Sequence, residues 1–318
     1  MKYSKAIFVT TATFGIAAGC ASPSPDANFG IPDEGGSTGA PDAAGGSAPD
    51  ALPPSSGSQA DSGAAADTSA REASSGTDAS SEAASEAGPE DAALPGWTLT
   101  WSDEFDDPDG SPANPAKWTY DTGPVYNNEL EKYTGGTANG VVEGGNLVIT
   151  AQSMNGQYTS ARLNTRGKFS QQYGRFEARM QLTTGKGLWP AFWLLGNQGS
   201  WPGCGEIDIM ENIGDPTVVY GSLHATNYNA SDPSQPSSAN YANSFHVYAV
   251  EWASGSINFS VDGTVYAMDT PDPGLFNQPF YIILNVAVGG SWPGNPNSTT
   301  MFPQTTKVDY VRVYSKGP

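Results

Sequence analysis

Three carboxylates stand close together in the segment Gly205-Glu206-Ile207-Asp208-Ile209-Met210-Glu211-Asn212. Glu206 and Asp208 are two residues apart, so on a strand they share one face while Ile207 and Ile209 point the other way into a core. Strict alternation would send Glu211 to the wrong face. One bulge at Ile209-Met210 adds a residue and restores the parity, placing Glu211 beside the other two. Three carboxylates on one exposed strand repel each other, which raises at least one pKa. One of them then becomes a proton donor while another stays an anion. At about 3.3 Å per residue the outer Cα atoms are roughly 13 Å apart. Inward-leaning side chains then bring the carboxyls to roughly 5 to 5.5 Å, the separation used for double displacement at a glycosidic bond. A solvated acidic edge and an oxygen-lined calcium site are the competing accounts of the same spacing.

Aromatic residues flank this segment. Leu188-Trp189-Pro190-Ala191-Phe192-Trp193-Leu194-Leu195 and Trp201-Pro202 precede it, and Gly289-Gly290-Ser291-Trp292-Pro293-Gly294 follows. Flat apolar rings stack on sugar rings, and an acidic cleft lined by tryptophan suits a neutral polysaccharide. A single tryptophan here serves a core as readily as a platform, and Trp193, followed by two leucines, fits a core.

The elements that must position these groups read as strands. Asn146–Gln152, Tyr173–Leu182, Phe245–Trp252, Ile257–Asp262, Phe280–Val288 and Lys307–Tyr314 are short, β-branched or aromatic runs bounded by Gly, Pro, Asn and Asp. Asp262-Gly263 is a two-residue hairpin signal. No stretch carries a capped helical pattern of a dozen residues. The expectation is an all-β sandwich or jelly roll that binds its ligand on a concave sheet face or its loops.

The chain around that domain is of another kind. Of 318 residues, 33 are acidic and 14 basic, and all eight tryptophans lie between Trp97 and Trp292. Residues 21–94 have Phe29, Ile31, Leu52 and Leu94 as their only large apolar side chains. Such a segment buries too little surface to offset the entropy of ordering it, and reads as a disordered Ala/Ser/Gly/Asp/Pro tether. Its r.m.s. reach as a flexible chain is about 50 Å. Residues 95–318 hold 30 of the 34 aromatics and form one folded domain. That domain carries 20 acidic and 11 basic side chains, and no segment is basic enough for a nucleic-acid partner.

Residues 1–20 have the layout of a signal peptide: Lys2 and Lys5, an apolar stretch from Ala6 to Ala18 too short for a membrane span, then Gly19-Cys20. Ala17-Ala18-Gly19-Cys20 resembles the bacterial lipobox, with Ala17 where Leu is usual. A lipid on Cys20 would anchor an exported protein to the cell envelope; cleavage after Ala21 would release it. The other cysteine, Cys204, reads as a small buried hydrophobe, and a disulfide would need Cys20 as its partner.

Nine segments from Trp97 to Tyr314 together resemble glycoside hydrolase family 16, in particular its bacterial endo-β-1,3-glucanases, or laminarinases. They are WSDEF at Trp101, NNELEKYT at Asn127, SARLNTRGKFS at Ser160, YGRFEARMQL at Tyr173, GLWPAFWLLG at Gly187, GEIDIMEN at Gly205, LH at Leu223, ILNVAVGGSWPG at Ile283 and VDYVRVY at Val308. The resemblance implies a jelly-roll β-sandwich of two curved antiparallel sheets and a retaining double displacement on β-glucan without a catalytic cofactor. Glu206 would be the nucleophile, Glu211 the acid/base, and Asp208 the group that holds or shares a proton with Glu206. The bulged form with Met210 is the laminarinase version. Asn127 or Asn128, Arg162, Trp189, Trp193, His224 and Trp292 would line the cleft, with His246 structural. A structural Ca2+ would be held by Asp309 together with Glu104 and Gly144. Action on agar or another galactan, transglycosylation, and non-catalytic glucan binding are the alternatives. The three retained carboxylates argue against the last of these. A monomer is the default.

Overall fold

The computed structural model describes residues 94–234 and 240–317. The expected signal peptide, the lipidation site Cys20 and all of the tether but Leu94 lie outside the described residues. Among the described residues seventeen strands follow one another: β1 Trp97–Asp103, β2 Thr119–Tyr120, β3 Glu131–Tyr133, β4 Gly140–Glu143, β5 Asn146–Met154, β6 Gln157–Ser160, β7 Arg162–Asn164, β8 Gly174–Gln181, β9 Leu188–Gly196, β10 Glu206–Glu211, β11 Tyr220–Ala225, β12 Tyr228–Pro233, β13 His246–Ala253, β14 Ser256–Val261, β15 Thr264–Asp269, β16 Phe280–Val288 and β17 Gln304–Lys316. Among the described residues there is no α-helix.

The strands form a jelly-roll β-sandwich. One sheet has the order β12-β11-β10-β9-β16-β7-β2; the other runs β15-β14-β13-β8-β17-β5-β6-β3, with β1 on β17 and β4 on β5. Nearly every pairing is antiparallel, β3 on β6 being the parallel one. Every run read as a strand from sequence is one. The hairpin at Asp262-Gly263 also forms, with φ of 50° and 76° at its two central residues, the positive values a two-residue turn with the twist of the sheet requires.

Side-chain alternation explains how the seven-stranded sheet serves both a core and a site. On β9, Leu188, Phe192 and Leu194 enter the main core, while Trp189, Ala191 and Trp193 line the opposite, open face. On β16, Phe280, Ile282, Leu284, Val286 and Val288 enter the core, while Asn285 and Ala287 face the cleft. Leu195, Tyr281, Ile283 and Cys204 form a second, small apolar cluster against Trp193 and Trp201. Both faces of β9 and β16 are therefore covered, which is why these segments are continuous apolar runs rather than alternating ones. The two sheets approach closely: a Cβ added at Gly221 would stand 2.6 Å from the Phe259 ring of the facing sheet, so only glycine fits there.

Candidate active site

β10 carries the three carboxylates, and its ladder shows how they come to one side. Asp208 pairs with Trp193 and Met210 with the next residue back, Phe192, so Ile209 is the extra residue of a bulge. The same irregularity separates Asp208 from Glu211 against β11. Ile207, Ile209 and Met210 all enter the core, and Glu206, Asp208 and Glu211 all line one cleft, as the spacing predicts. The expected exposure is corrected, however. The three residues are only 4, 4 and 6% exposed, because tryptophans and neighbouring strands wall the strand in.

That burial sets the electrostatics. Desolvation is the largest cause that raises all three pKa values. Glu206 is pushed up to about 8, with the Glu211 charge adding to the effect and the Trp201 indole opposing it. Asp208 is held well above the usual carboxylate range by burial and then by the charges of Glu206 and Glu211. Glu211 rises less, to about 7, because two donors favour its charged form. Ser222 Oγ donates to Oε2 at 2.8 Å and Trp189 Nε1 donates to Oε1 at 3.0 Å. Glu206 Oε2 and Asp208 Oδ2 accept no hydrogen bond. Such a set can hold a proton and a negative charge side by side, which acid/base chemistry with a nucleophilic carboxylate requires.

The cleft, about 910 Å³ counting the space open to solvent, gathers most of the residues expected from sequence: Asn127, Arg162, Trp189, Trp193, His224 and Trp292. Trp292 meets Trp189 edge to face at 5.8 Å and Tyr220 at 4.9 Å, which gives the rings fixed orientations at the cleft wall. His224 is the cross-strand partner of Glu206. Its Nε2 lies 3.5 Å from Asp208 Oδ2, and its Nδ1 is 2.9 Å from Asn229 Oδ1. Burial lowers its pKa. His246 bonds Ser244 and Asp262 and is not among the cleft residues. Asn128 is not a lining residue either; its Nδ2 donates to Ser291 Oγ, while the Asn127 carbonyl accepts from Ser291 N–H, so the two asparagines brace the loop that carries Trp292.

Arg162 lines the cleft, as expected, and is also held there by an ion pair. It is 5% exposed, pairs with Asp121 at 2.9 Å, and lies over the Tyr133 and Tyr126 rings. The pairing is internal rather than at the surface, and the guanidinium still reaches the cleft.

Sequence reasoning missed a polar chain in the cleft lining. Trp193 Nε1 donates to Asn285 Oδ1 at 2.8 Å, Asn285 Nδ2 donates to Tyr133 Oη at 3.2 Å, and Tyr133 Oη donates to Glu129 Oε2 at 3.3 Å. Glu131 accepts from Val288 N–H at 2.6 Å. Burial and then Glu131 hold Glu129 well above the usual carboxylate range. The signal lay in two segments already singled out, NNELEKYT and ILNVAVGG, whose polar residues interrupt β-forming runs. Trp193 is therefore a cleft-wall residue that also packs against the small apolar cluster.

The expected calcium ligands are engaged otherwise. Both Glu104 oxygens accept from Arg312, at 3.0 and 2.8 Å. Asp309 Oδ2 accepts from Arg179 at 2.7 Å, and the Gly144 carbonyl accepts from the Asn146 amide at 2.7 Å. A calcium ion needs six or more oxygens, several of them uncommitted. Arranged this way, these three residues do not by themselves supply that shell. Cys204 is buried as expected, but as a disulfide-bonded residue and not as a thiol.

Comparison with known proteins agrees with this geometry. Residues 127–312 match the family described as Glycosyl hydrolases family 16. A Beta-glucanase of Rhodothermus marinus is 43% identical over 247 residues, covering 69% of this chain and 86% of that protein. The Glucan endo-1,3-beta-glucosidase A1 of Niallia circulans is 36% identical over 72% of this chain, which spans 39% of that longer protein. Among solved structures, the laminarinase catalytic domain from Thermotoga maritima MSB8 is 40% identical, with a TM-score of 0.64 over 70% of this chain and 99% of that one. A bulged strand presenting three buried carboxylates to a tryptophan-walled cleft, on a sandwich with these relatives, is that of a glycoside hydrolase: the chain belongs to glycosyl hydrolases family 16.

Proposed function

We propose that this protein is a retaining endo-β-1,3-glucanase that cleaves internal linkages of laminarin-like glucans and tolerates mixed β-1,3/1,4 chains. The observation that carries the reading is the bulge of β10, which sets Glu206, Asp208 and Glu211 on one buried face between Trp189, Trp193 and Trp292. The names of the similar proteins, beta-glucanase, endo-1,3-beta-glucosidase and laminarinase, support the linkage.

In this reading Glu206 attacks the anomeric carbon, and Glu211 protonates the leaving oxygen and then activates water. The pKa order in the cleft opposes these roles, since Glu206 stands above Glu211. Asp208 removes the conflict. Coupled carboxylates titrate as a set, and a proton carried by Asp208 rather than by Glu206 leaves the nucleophile charged without adding net charge to the cleft. Trp189 and Ser222 hold the Glu211 carboxylate in place. The deciding experiment compares reducing-sugar release from laminarin, mixed-linkage glucan, agarose and xyloglucan. Laminarin is expected to give the highest kcat/KM, with mixed-linkage glucan next; activity on agarose alone would overturn the substrate assignment.

The finer expectations about placement belong with this proposal. The signal-peptide layout of residues 1–20 supports export, and the lipobox-like Ala17-Ala18-Gly19-Cys20 supports a lipid anchor with the domain acting as a monomer on its tether. The chain has only two cysteines, and the Cys20 sulfur cannot carry both a lipid thioether and a disulfide to Cys204. Labelling with a lipid precursor, with and without Cys20→Ser, separates the two: label that depends on Cys20 establishes the anchor, and its absence removes it. A structural calcium ion is not part of the reading, because its expected ligands are already engaged.

A further inference from the structure

The catalytic strand and its neighbour hold a donor set with chemistry of its own. Glu206 and His224 face each other across the β10–β11 ladder, and Asp208 follows two residues along on the same face. One ligand atom from each lies within 4.8 Å of the others. An acidic cluster alone would mean little, but two further observations point to a ligand. Glu206 Oε2 and Asp208 Oδ2 belong to residues 4% exposed, line the cleft and accept no hydrogen bond. The imidazole is also aimed: Nδ1 sits 2.9 Å from Asn229 Oδ1, and with the proton on Nδ1 the Nε2 lone pair faces Asp208.

The Asp208–His224 spacing suits a small dication. Two ligands each about 2.1 Å from a tetrahedral zinc stand about 3.4 Å apart. Asp208 Oδ2 and His224 Nε2 are 3.5 Å apart. Two carboxylates, one neutral imidazole and a position open to the cleft make the three-plus-one arrangement of a zinc site. Calcium, which takes six to eight oxygens, is poorly served by three ligands of which one is nitrogen. Asn229 acts as an outer partner on the histidine, the usual means of orienting such a ligand. A dication also neutralises two carboxylates in a place that water barely reaches.

We propose that Glu206, Asp208 and His224 form an inhibitory site for a borderline divalent transition cation, zinc being the type, which competes with glucan for the cleft. The competition rests on the glycosidase reading above; the binding does not.

Calorimetric titration of the full chain with ZnCl2 in a non-chelating buffer tests it. One ion per chain is expected at this site, with affinity reduced at least about tenfold in His224→Ala and Asp208→Asn. Asn229→Ala, an exposed position that leaves all three ligands in place, is expected to weaken binding about tenfold through lost orientation. Glu211→Gln keeps the ligand set and is expected to bind zinc within about threefold of wild type while losing hydrolysis. Glucan oligosaccharide added beforehand should suppress the zinc heat. Zinc binding unchanged by both His224→Ala and Asp208→Asn, or no binding up to about 1 mM, overturns the proposal. Enzyme that cleaves laminarin yet ignores zinc sinks this site alone; protein that binds zinc here yet cleaves no glucan sinks the functional reading instead.

Discussion

Glu206→Gln is expected to lower kcat on laminarin by about 10³-fold or more while leaving the sandwich intact. The amide keeps the shape of the side chain but carries no negative charge, so its oxygen is too weak a nucleophile to attack carbon and the covalent path is closed. A loss of 10³ corresponds to about 4 kcal/mol of transition-state stabilisation. Glu211→Gln removes a proton donor instead, and the expected loss on laminarin is about 10²- to 10⁴-fold. The two variants separate on a substrate whose leaving group is acidic enough to depart unprotonated. On an activated aryl glycoside, Glu211→Gln should still form the glycosyl-enzyme and release a burst of phenol, whereas Glu206→Gln should not. Near-normal turnover of laminarin by either variant would show that the carboxylates have been misassigned. Circular dichroism and melting on the same samples separate lost chemistry from lost fold. Asp208→Asn, which imitates the protonated state assigned to Asp208, should be the mildest of the three in kcat and should move the pH profile.

The second large effect is on stability. Glu206 rises from an ordinary carboxyl value near 4.5 to about 8 in the folded protein. The folded state therefore binds more protons than the unfolded chain between those limits. Stability must then fall as the pH rises from about 4.5 to about 8, since the native state is the one that resists deprotonation. Asp208 and Glu211 shift in the same direction and add to the slope. Glu206→Gln removes the group and with it the penalty of ionising it in the cleft. The variant should melt several degrees above wild type at pH 8, on the order of a few kcal/mol at roughly 2 to 4 °C per kcal/mol, with the difference vanishing near pH 4. Loss of activity accompanied by a gain in stability is what a strained catalytic cluster produces. An equal or lower melting temperature for Glu206→Gln at pH 8 would mean that the carboxylate is not destabilising where it sits.

Much of this molecule was legible in its amino-acid order, and for local reasons. Strand runs such as Asn146–Met154 and Phe280–Val288 declare themselves through β-branched and aromatic residues between breakers, and Asp262-Gly263 through its tolerance of positive φ. The bulge of β10 is dictated by parity: Ile207 and Ile209 need the core, so Glu211 reaches the face of Glu206 and Asp208 only if one residue is left over. What only the tertiary structure decided depends on neighbours distant in sequence. The three carboxylates are buried because β9 and β11 wall in their strand, and that burial raises all three pKa values. Trp193 could be core or wall until the fold set Asn285, 92 residues away, against its indole nitrogen. Arg162 is held at the cleft by Tyr126, Tyr133 and Asp121, which only the fold brings to it. Glu104 and Asp309 looked like places for an ion until the fold brought Arg312 and Arg179 to them. Periodicity and turn chemistry act over a few residues and can be read along a chain; desolvation and charge pairing depend on what else arrives, which the sheet order alone determines.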